Sequence, residues 1–213
     1  MTIASDADQY LFFAEELGLW AIDHIGSHRP AMTSTKSGPA DLLTETDLAV
    51  EEYVREQIRD RFPDHRIIGE ELGATGPEGG PVWYLDPVDG TTNYAHGLPW
   101  ASFSLAVADA QGPVAGVVAD PYRRELFSAC RGHGARCNGV LVHCADIGSL
   151  AGAILLTEWA GHQPWEGMTE MLGALSEQNC TTRIMGSSAL SLASMAAGRA
   201  AAAVLGRYNT HDV

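Results

Sequence analysis

Apolar positions recur at helical spacing near the start of the chain. Tyr10, Phe13, Ala14, Leu17, Trp20, Ala21 and Ile25 share one face, which predicts an amphipathic helix over 8–26 with Gly26 as its stop. A second helix is predicted over 44–62, where Val50, Val54, Ile58 and Phe62 lie four apart and Tyr53 joins their face. Thr44 followed by Asp47 reads as a capping-box-like start, and Pro63 closes the helix. Residues 27–41, which include Lys36 and Asp41, show no period and are expected to form a loop.

The pattern then shortens. A strand over 66–68 runs into Gly69-Glu70-Glu71, and 72–81 reads as a Gly/Pro/Glu loop. Residues 82–85 are apolar without polar alternation, as in a strand buried on both faces. Runs at 102–107, 113–118 and 125–128, separated by turn residues, predict an antiparallel meander. Gly132, Gly134 and Gly139 then mark a hairpin-like region. After a shift near 145–150, strand and helix alternate: strand 153–156, helix 165–176, strand 181–185, helix 187–197, strand 201–205. The expected organisation is an N-terminal α+β unit, 1–147, followed by an α/β unit, 148–213.

Composition narrows the function classes. The 213 residues carry 27 acids against 13 bases, a net charge of −14, which argues against a nucleic-acid surface or docking on an anionic membrane. An acidic chain can still bind an anionic substrate if metal ions reverse the local sign. No basic segment followed by an apolar run opens the chain, and no run reaches membrane-spanning length. The four cysteines do not form a disulfide pattern, so the cytoplasm is the expected compartment.

Two carboxylates, Asp86 and Asp89, sit three apart at the exit of the 82–85 strand and lead into Gly90-Thr91-Thr92-Asn93. Hard oxygen ligands of this kind suit Mg²⁺, and backbone N–H groups at a helix start favour an anion. The Val88 carbonyl between the acids adds a further oxygen. In the plain reading, Asp-Pro and Asp-Gly are turn dipeptides with solvated acids. The Glu70-Glu71 pair reads either as a helix start or surface turn, or with Glu70 as a further metal ligand arriving from a neighbouring strand end. Asp47 suits a helix cap, and a capped Asp can also orient a nearby hydroxyl. Gly186-Ser187-Ser188-Ala189 opens a helix, either as a plain cap or as a contact for a polyol. Cys130, His133, Cys137, His143 and Cys144 lack the usual zinc spacings, and the segment reads as structural. Asp212 carries no signal from its position alone.

Taken in order, Glu70-Glu71, Asp86-Pro87-Val88-Asp89-Gly90-Thr91-Thr92-Asn93 and Gly186-Ser187-Ser188-Ala189 resemble the inositol monophosphatase family. The segment 41–47 and its following helix are also similar, and the resemblance runs from about residue 10 onward. It implies Mg²⁺-dependent, lithium-sensitive sugar-phosphate phosphatases with a layered αβαβα sandwich, commonly dimeric. It implies that Glu70, Asp86 and the Val88 carbonyl hold one Mg²⁺, and that Asp86, Asp89 and Asp212 hold a second. A third, weaker ion would lie near Glu70. Gly90 and Thr91 would donate to phosphate, and Asp47 would bond the Thr91 hydroxyl. Catalytic roles fall to Glu70, Thr91 and Asp47, with Asp89, Gly186, Ser187 and Ser188 facing the substrate.

Two departures follow from the same resemblance. Leu205 stands where inositol phosphatases carry a glutamate that contacts an inositol hydroxyl. The family's closing Trp-Asp is here His211-Asp212, followed only by Val213, so a final helix and strand are expected to be lacking. The expected activity is hydrolysis of inositol monophosphate, or of another small ester such as histidinol phosphate, fructose 1,6-bisphosphate or a 3′-phosphoadenosine nucleotide, by a metal-activated water. The alternative from another class is a catalytically impaired binding or regulatory protein of the same fold. The expected partners are a small phosphate ester and a second copy of the chain.

Overall fold

The apolar stripe of the first helix becomes the outer layer of the fold. The computed structural model describes residues 6–28, 32–36, 38, 41–160 and 163–206. Helix α1, Asp6–Ser27, buries Ala14, Leu17, Gly18, Ala21, Ile22 and Ile25, at the steps of three and four that make one helical face. The segment expected as a loop instead holds a short antiparallel hairpin, β1 (Met32–Thr35) against β2 (Leu42–Thr44). Its strands are too short to set up an alternation, and β1 is mostly Ser and Thr, so no apolar period betrays it. Helix α2, Glu45–Arg61, starts in a full capping box between Thr44 and Asp47 and buries Val50, Val54 and Ile58 completely.

Both helices pack on an eight-stranded sheet, counted among the described residues. Its strands are β3 (Arg66–Gly69), β4 (Gly73–Thr75), β5 (Val82–Asp89), β6 (Ser102–Asp109), β7 (Gly112–Asp120), β8 (Glu125–Cys130), β9 (Gly134–Cys137) and β10 (Val140–Val142). The order is β10-β9-β8-β7-β6-β5-β3-β4. From β5 to β10 the neighbours are antiparallel, the predicted meander, and β3 alone runs parallel to β5. Strand β4 lies in the stretch expected to be a loop; it is an exposed edge of three residues, fixed by pairing with β3 and not by its own pattern. Trp83, Leu85, Phe103, Leu105 and Val107 form the core under α1 and α2.

A short helix, α3 (Thr91–Ala95), follows β5 directly. The C-terminal part holds a three-stranded parallel sheet among the described residues, β11 (Ile154–Thr157), β12 (Thr181–Ile184) and β13 (Ala202–Val204), in the order β12-β11-β13. Helix α4, Met168–Glu177, packs on β12. Helix α5, Ser188–Ala196, lies between the sheets, against β11 and β13 on one side and β5, β6 and β7 on the other. The layers therefore read helix, sheet, helix, sheet, helix, the αβαβα sandwich. Because β11, β12 and β13 are parallel, the residues after them emerge at one edge: Glu158, Met185-Gly186 and Leu205. No helix among the described residues is long and apolar enough to cross a membrane.

Candidate active site

The strand expected to end at Leu85 runs on to Asp89, and its irregularity organises the site. Asp86 pairs with Ser104 and Asp89 with Ser102, so three steps along β5 face two along β6. The extra residue is a β-bulge, tolerated at Pro87, which has no N–H to give the ladder. In a regular strand, residues three apart point to opposite faces. Here Ser102 and Ser104 share a face, and so do the acids opposite them. Without the bulge, Asp89 would join Trp83 and Leu85 in the core under α1 and α2. Instead both acids face α5, and both are buried, at 2% and 8% exposure. The Val88 N–H donates to Asp86 Oδ1 at 3.0 Å and holds that carboxylate against the turn.

Next in the chain, Gly90 takes φ of +91° and caps α3, and a Cβ there would lie 2.7 Å from the Gly186 carbonyl oxygen. Only glycine meets both demands without strain. Thr91 then places its hydroxyl 3.0 Å from Asp47 Oδ1 and 2.9 Å from the Val88 carbonyl, and its single proton serves one acceptor at a time. Asp47 is fully buried; its other oxygen accepts the Thr44 N–H and hydroxyl. Burial pushes the Asp47 carboxyl above its ordinary range, and the Thr44 and Thr91 bonds pull against that. The helix cap and the Thr91 contact are thus one side chain's two ends.

Glu70 follows β3, whose last residue, Gly69, pairs with Leu85, so Glu70 emerges beside Asp86. Its Oε1 accepts Lys36 Nζ at 2.7 Å, and Glu71 Oε1 accepts the same ammonium at 2.5 Å. Burial works against the Lys36 charge, but Glu70 and Glu71 outweigh it and hold the ammonium well above its usual range. Burial pushes Glu71 up to about 7, with the Lys36 bond opposing. The turn is braced from α2: Glu51 accepts the Glu71 N–H at 2.8 Å and the Leu72 N–H at 3.0 Å, and pairs with Arg55, which bonds the Gly73 carbonyl and Thr75. A Cβ on Gly69 would fall 2.1 Å from Glu51 Oε1. Gly69→Ala is therefore expected to cost about 1–3 kcal/mol, read as a lowered urea midpoint.

The α5 start closes the site. In the segment 186–189, read as a cap or a polyol contact, Ser187 is the N-cap residue, yet its hydroxyl does not cap the helix. It donates to Asp89 Oδ2 at 2.5 Å, and the Ala189 N–H donates to the same oxygen at 2.8 Å. The Ser188 N–H reaches Asp89 Oδ1 at 3.2 Å, and the Ser102 hydroxyl lies 3.4 Å from Oδ2. Asp89 is thus held by the positive end of α5 across 99 residues of sequence separation.

The structure therefore brings together Asp47, Thr91, Val88, Asp86, Gly90, Asp89, Gly186, Ser187 and Ser188, and sets Glu70 beside them. Asp212 lies outside the described residues. Among the described residues, no three His, Cys, Asp or Glu side chains stand ready as a metal-holding group. Glu70 is turned to Lys36, and Asp89 to α5. The donor set nonetheless fits Mg²⁺ in kind: buried carboxylates on one face and a carbonyl at the bulge, all oxygen. Sequence reasoning passed over Ser102, Glu51 and Glu158, and gave Lys36 no role. Lys36 was visible only as one of two bases, with Arg29, in a segment without period.

Comparison with known proteins agrees with this architecture. The model of the inositol monophosphatase family matches residues 6–213. Nus factor SuhB of Haemophilus influenzae is 41% identical over 174 residues, 80% of this chain and 65% of that protein. An inositol monophosphatase of Mesembryanthemum crystallinum is 36% identical over 170 residues, 76% of this chain and 63% of its own length. The solved inositol monophosphatase of Anabaena superposes with a TM-score of 0.83 at 31% identity, over 98% of this chain and 79% of that one. The chain spans a little under two thirds of these curated relatives' length. With its family match, its bulged Asp86–Asp89 pair and its αβαβα layers, the chain belongs to the inositol monophosphatase family.

Proposed function

We propose that the protein hydrolyses a small phosphate monoester with Mg²⁺, and that inositol monophosphate is the first substrate to test. The observation that carries this reading is the bulge that sets Asp86 and Asp89 on one buried face, next to the Thr91–Asp47 pair. Asp86, Asp89, the Val88 carbonyl and Glu70 would hold the metal, together with Asp212. When bound, Mg²⁺ lowers the pKa of water and spreads the charge of an in-line transition state. The protein's own groups do the rest. Thr91 Oγ1 would take a proton from the attacking water as its own proton passes to Asp47 Oδ1, 3.0 Å away, so that Thr91 is restored and Asp47 ends protonated. Glu70 is the second acceptor at that position. Gly90 and Thr91 would donate backbone N–H groups to the phosphate. Gly186, Ser187 and Ser188 would border the alcohol. Residues 1–147 would then carry the water-activating and phosphate-binding groups, and 148–213 the substrate-facing turn and Asp212.

The test is phosphate release in Mg²⁺ and in EDTA. Release is expected in Mg²⁺, to vanish in EDTA and to return when Mg²⁺ is restored. Release that persists in EDTA sinks the reading. A panel of inositol monophosphate, histidinol phosphate, fructose 1,6-bisphosphate and a 3′-phosphoadenosine nucleotide, compared by kcat/KM, assigns the substrate. Leu205 motivates the panel, because an apolar side chain accepts no hydroxyl hydrogen bond. A second reading draws on the relatives called Nus factor SuhB, at 40% and 41% identity. In it the fold serves a regulatory role without turnover. Tight Mg²⁺ binding with no release from any ester in the panel would favour it.

A further inference from the structure

Glu158 follows β11, the central strand of the small sheet, and is buried. Its Oε2 accepts the Gly186 N–H at 2.6 Å, and its Oε1 accepts the Ser191 hydroxyl at 2.7 Å. A carboxylate is costly to bury unless its oxygens are bonded, and these bonds meet that need. They also grip both ends of one short segment. Gly186 opens the turn into α5, and Ser191 stands one turn inside the helix. From the opposite side, Asn93 Nδ2 donates to the Met185 carbonyl at 2.7 Å and to the Trp100 carbonyl at 2.8 Å. A Cβ on Gly90 would lie 2.7 Å from the Gly186 carbonyl oxygen, and one on Gly186 would lie 2.8 Å from Asn93 Nδ2. The turn is thus clamped between the two sheets. What it presents to the large sheet is the set of donors on Asp89: the Ser187 hydroxyl and the Ser188 and Ala189 N–H groups.

We propose that Glu158 is a positioning residue for Asp89, acting through the turn 186–189 to hold the Asp89 carboxylate in the orientation that receives Mg²⁺. The inference rests on the metal reading given above. Glu158 itself touches neither metal nor substrate. Two buried carboxylates, one from each sheet, hold the same turn, Glu158 at Gly186 and Ser191 and Asp89 at Ser187, Ser188 and Ala189, so displacing either loosens the donors that hold the other. Groups that orient metal ligands in this way are worth about 10–100-fold in metal affinity.

The experiment is calorimetric titration of Mg²⁺ into the full chain freed of metal by EDTA and dialysed, with the melting midpoint of each variant taken in EDTA. Glu158→Ala is expected to weaken Mg²⁺ binding about tenfold. Glu158→Gln is expected to restore it to within about threefold, because a carboxamide can accept from Gly186 N–H and donate to Ser191 Oγ. Ser191→Ala removes one anchor of Glu158 and little volume; it is expected to weaken binding about threefold, and it decides the matter if Glu158→Ala does not fold. In the hydrolysis assay, the Mg²⁺ concentration at half-maximal rate should rise in step, with the KM for the ester little changed. Wild-type Mg²⁺ affinity in the folded Glu158→Ala and Ser191→Ala variants overturns the role. So does a Glu158→Gln variant as weak as Glu158→Ala, since charge and not position would then matter. Wild-type protein that binds no Mg²⁺ overturns the metal reading and this role together. Wild-type affinity shared by all the variants overturns this role alone.

Discussion

Replacing Asp89 by asparagine is expected to lower Mg²⁺-dependent phosphate release by at least about a hundredfold, and to weaken Mg²⁺ binding with it. Both carboxylate oxygens are engaged by donors: the Ser187 hydroxyl and Ala189 N–H on one, the Ser188 N–H on the other. Asparagine has one acceptor oxygen and an amide that only donates. Whichever way it turns, an amide hydrogen confronts a donor of α5, and the negative charge that the helix start and the metal both favour is gone. Each buried donor left without an acceptor costs about 1–3 kcal/mol, so the melting midpoint should fall as well. Phosphate release, Mg²⁺ calorimetry and thermal melting together check the three parts. Release within tenfold of wild type would remove Asp89 from the proposed site.

The largest loss of stability is expected at a residue that touches no candidate ligand. Glu51 is fully buried and paired with Arg55, itself 4% exposed. Glu51→Ala leaves that guanidinium buried without its partner and strips the acceptor from the Glu71 and Leu72 N–H groups. Removing one member of a buried pair costs about 3–5 kcal/mol. Because Glu51 braces the turn that carries Glu70, activity per folded molecule should fall too. Urea unfolding checks the first effect, and specific activity at low temperature, where the variant stays folded, checks the second. A loss of unfolding free energy under about 1 kcal/mol would show that Arg55 finds another acceptor.

The sequence was most legible where pattern and chemistry coincide. The face of α2 was read from Val50, Val54 and Ile58, and its start from Thr44 and Asp47, because helix period and capping are local. The meander was read from its turns. The hairpin of β1 and β2 and the edge strand β4 escaped, because three or four polar residues acquire strand geometry only from a partner. At the candidate site, Asp86, Asp89 and Glu70 stood out by residue type and spacing. Ser102, Glu158 and Glu51 did not, because their meaning lies in contacts 13, 28 and 20 residues away in the chain. No local pattern marks a serine that will face an aspartate across a ladder. The turn 186–189 was legible as a helix cap, and the Ser187 hydroxyl turned out to donate to Asp89, whose carboxylate itself accepts the Ala189 N–H that a capping hydroxyl would accept.

The bulge in β5 makes the number of residues between the two acids as informative as the acids themselves. Exchanging either acid removes one candidate ligand and leaves the frame of the strand intact. Flattening the bulge while keeping the residue count would leave every side chain in place by name and turn Asp89 away from α5, into the aromatic and aliphatic packing behind the sheet. What the segment has to keep is therefore the irregularity of its ladder as well as its two acids, a constraint that a comparison of residue identities alone would not reveal.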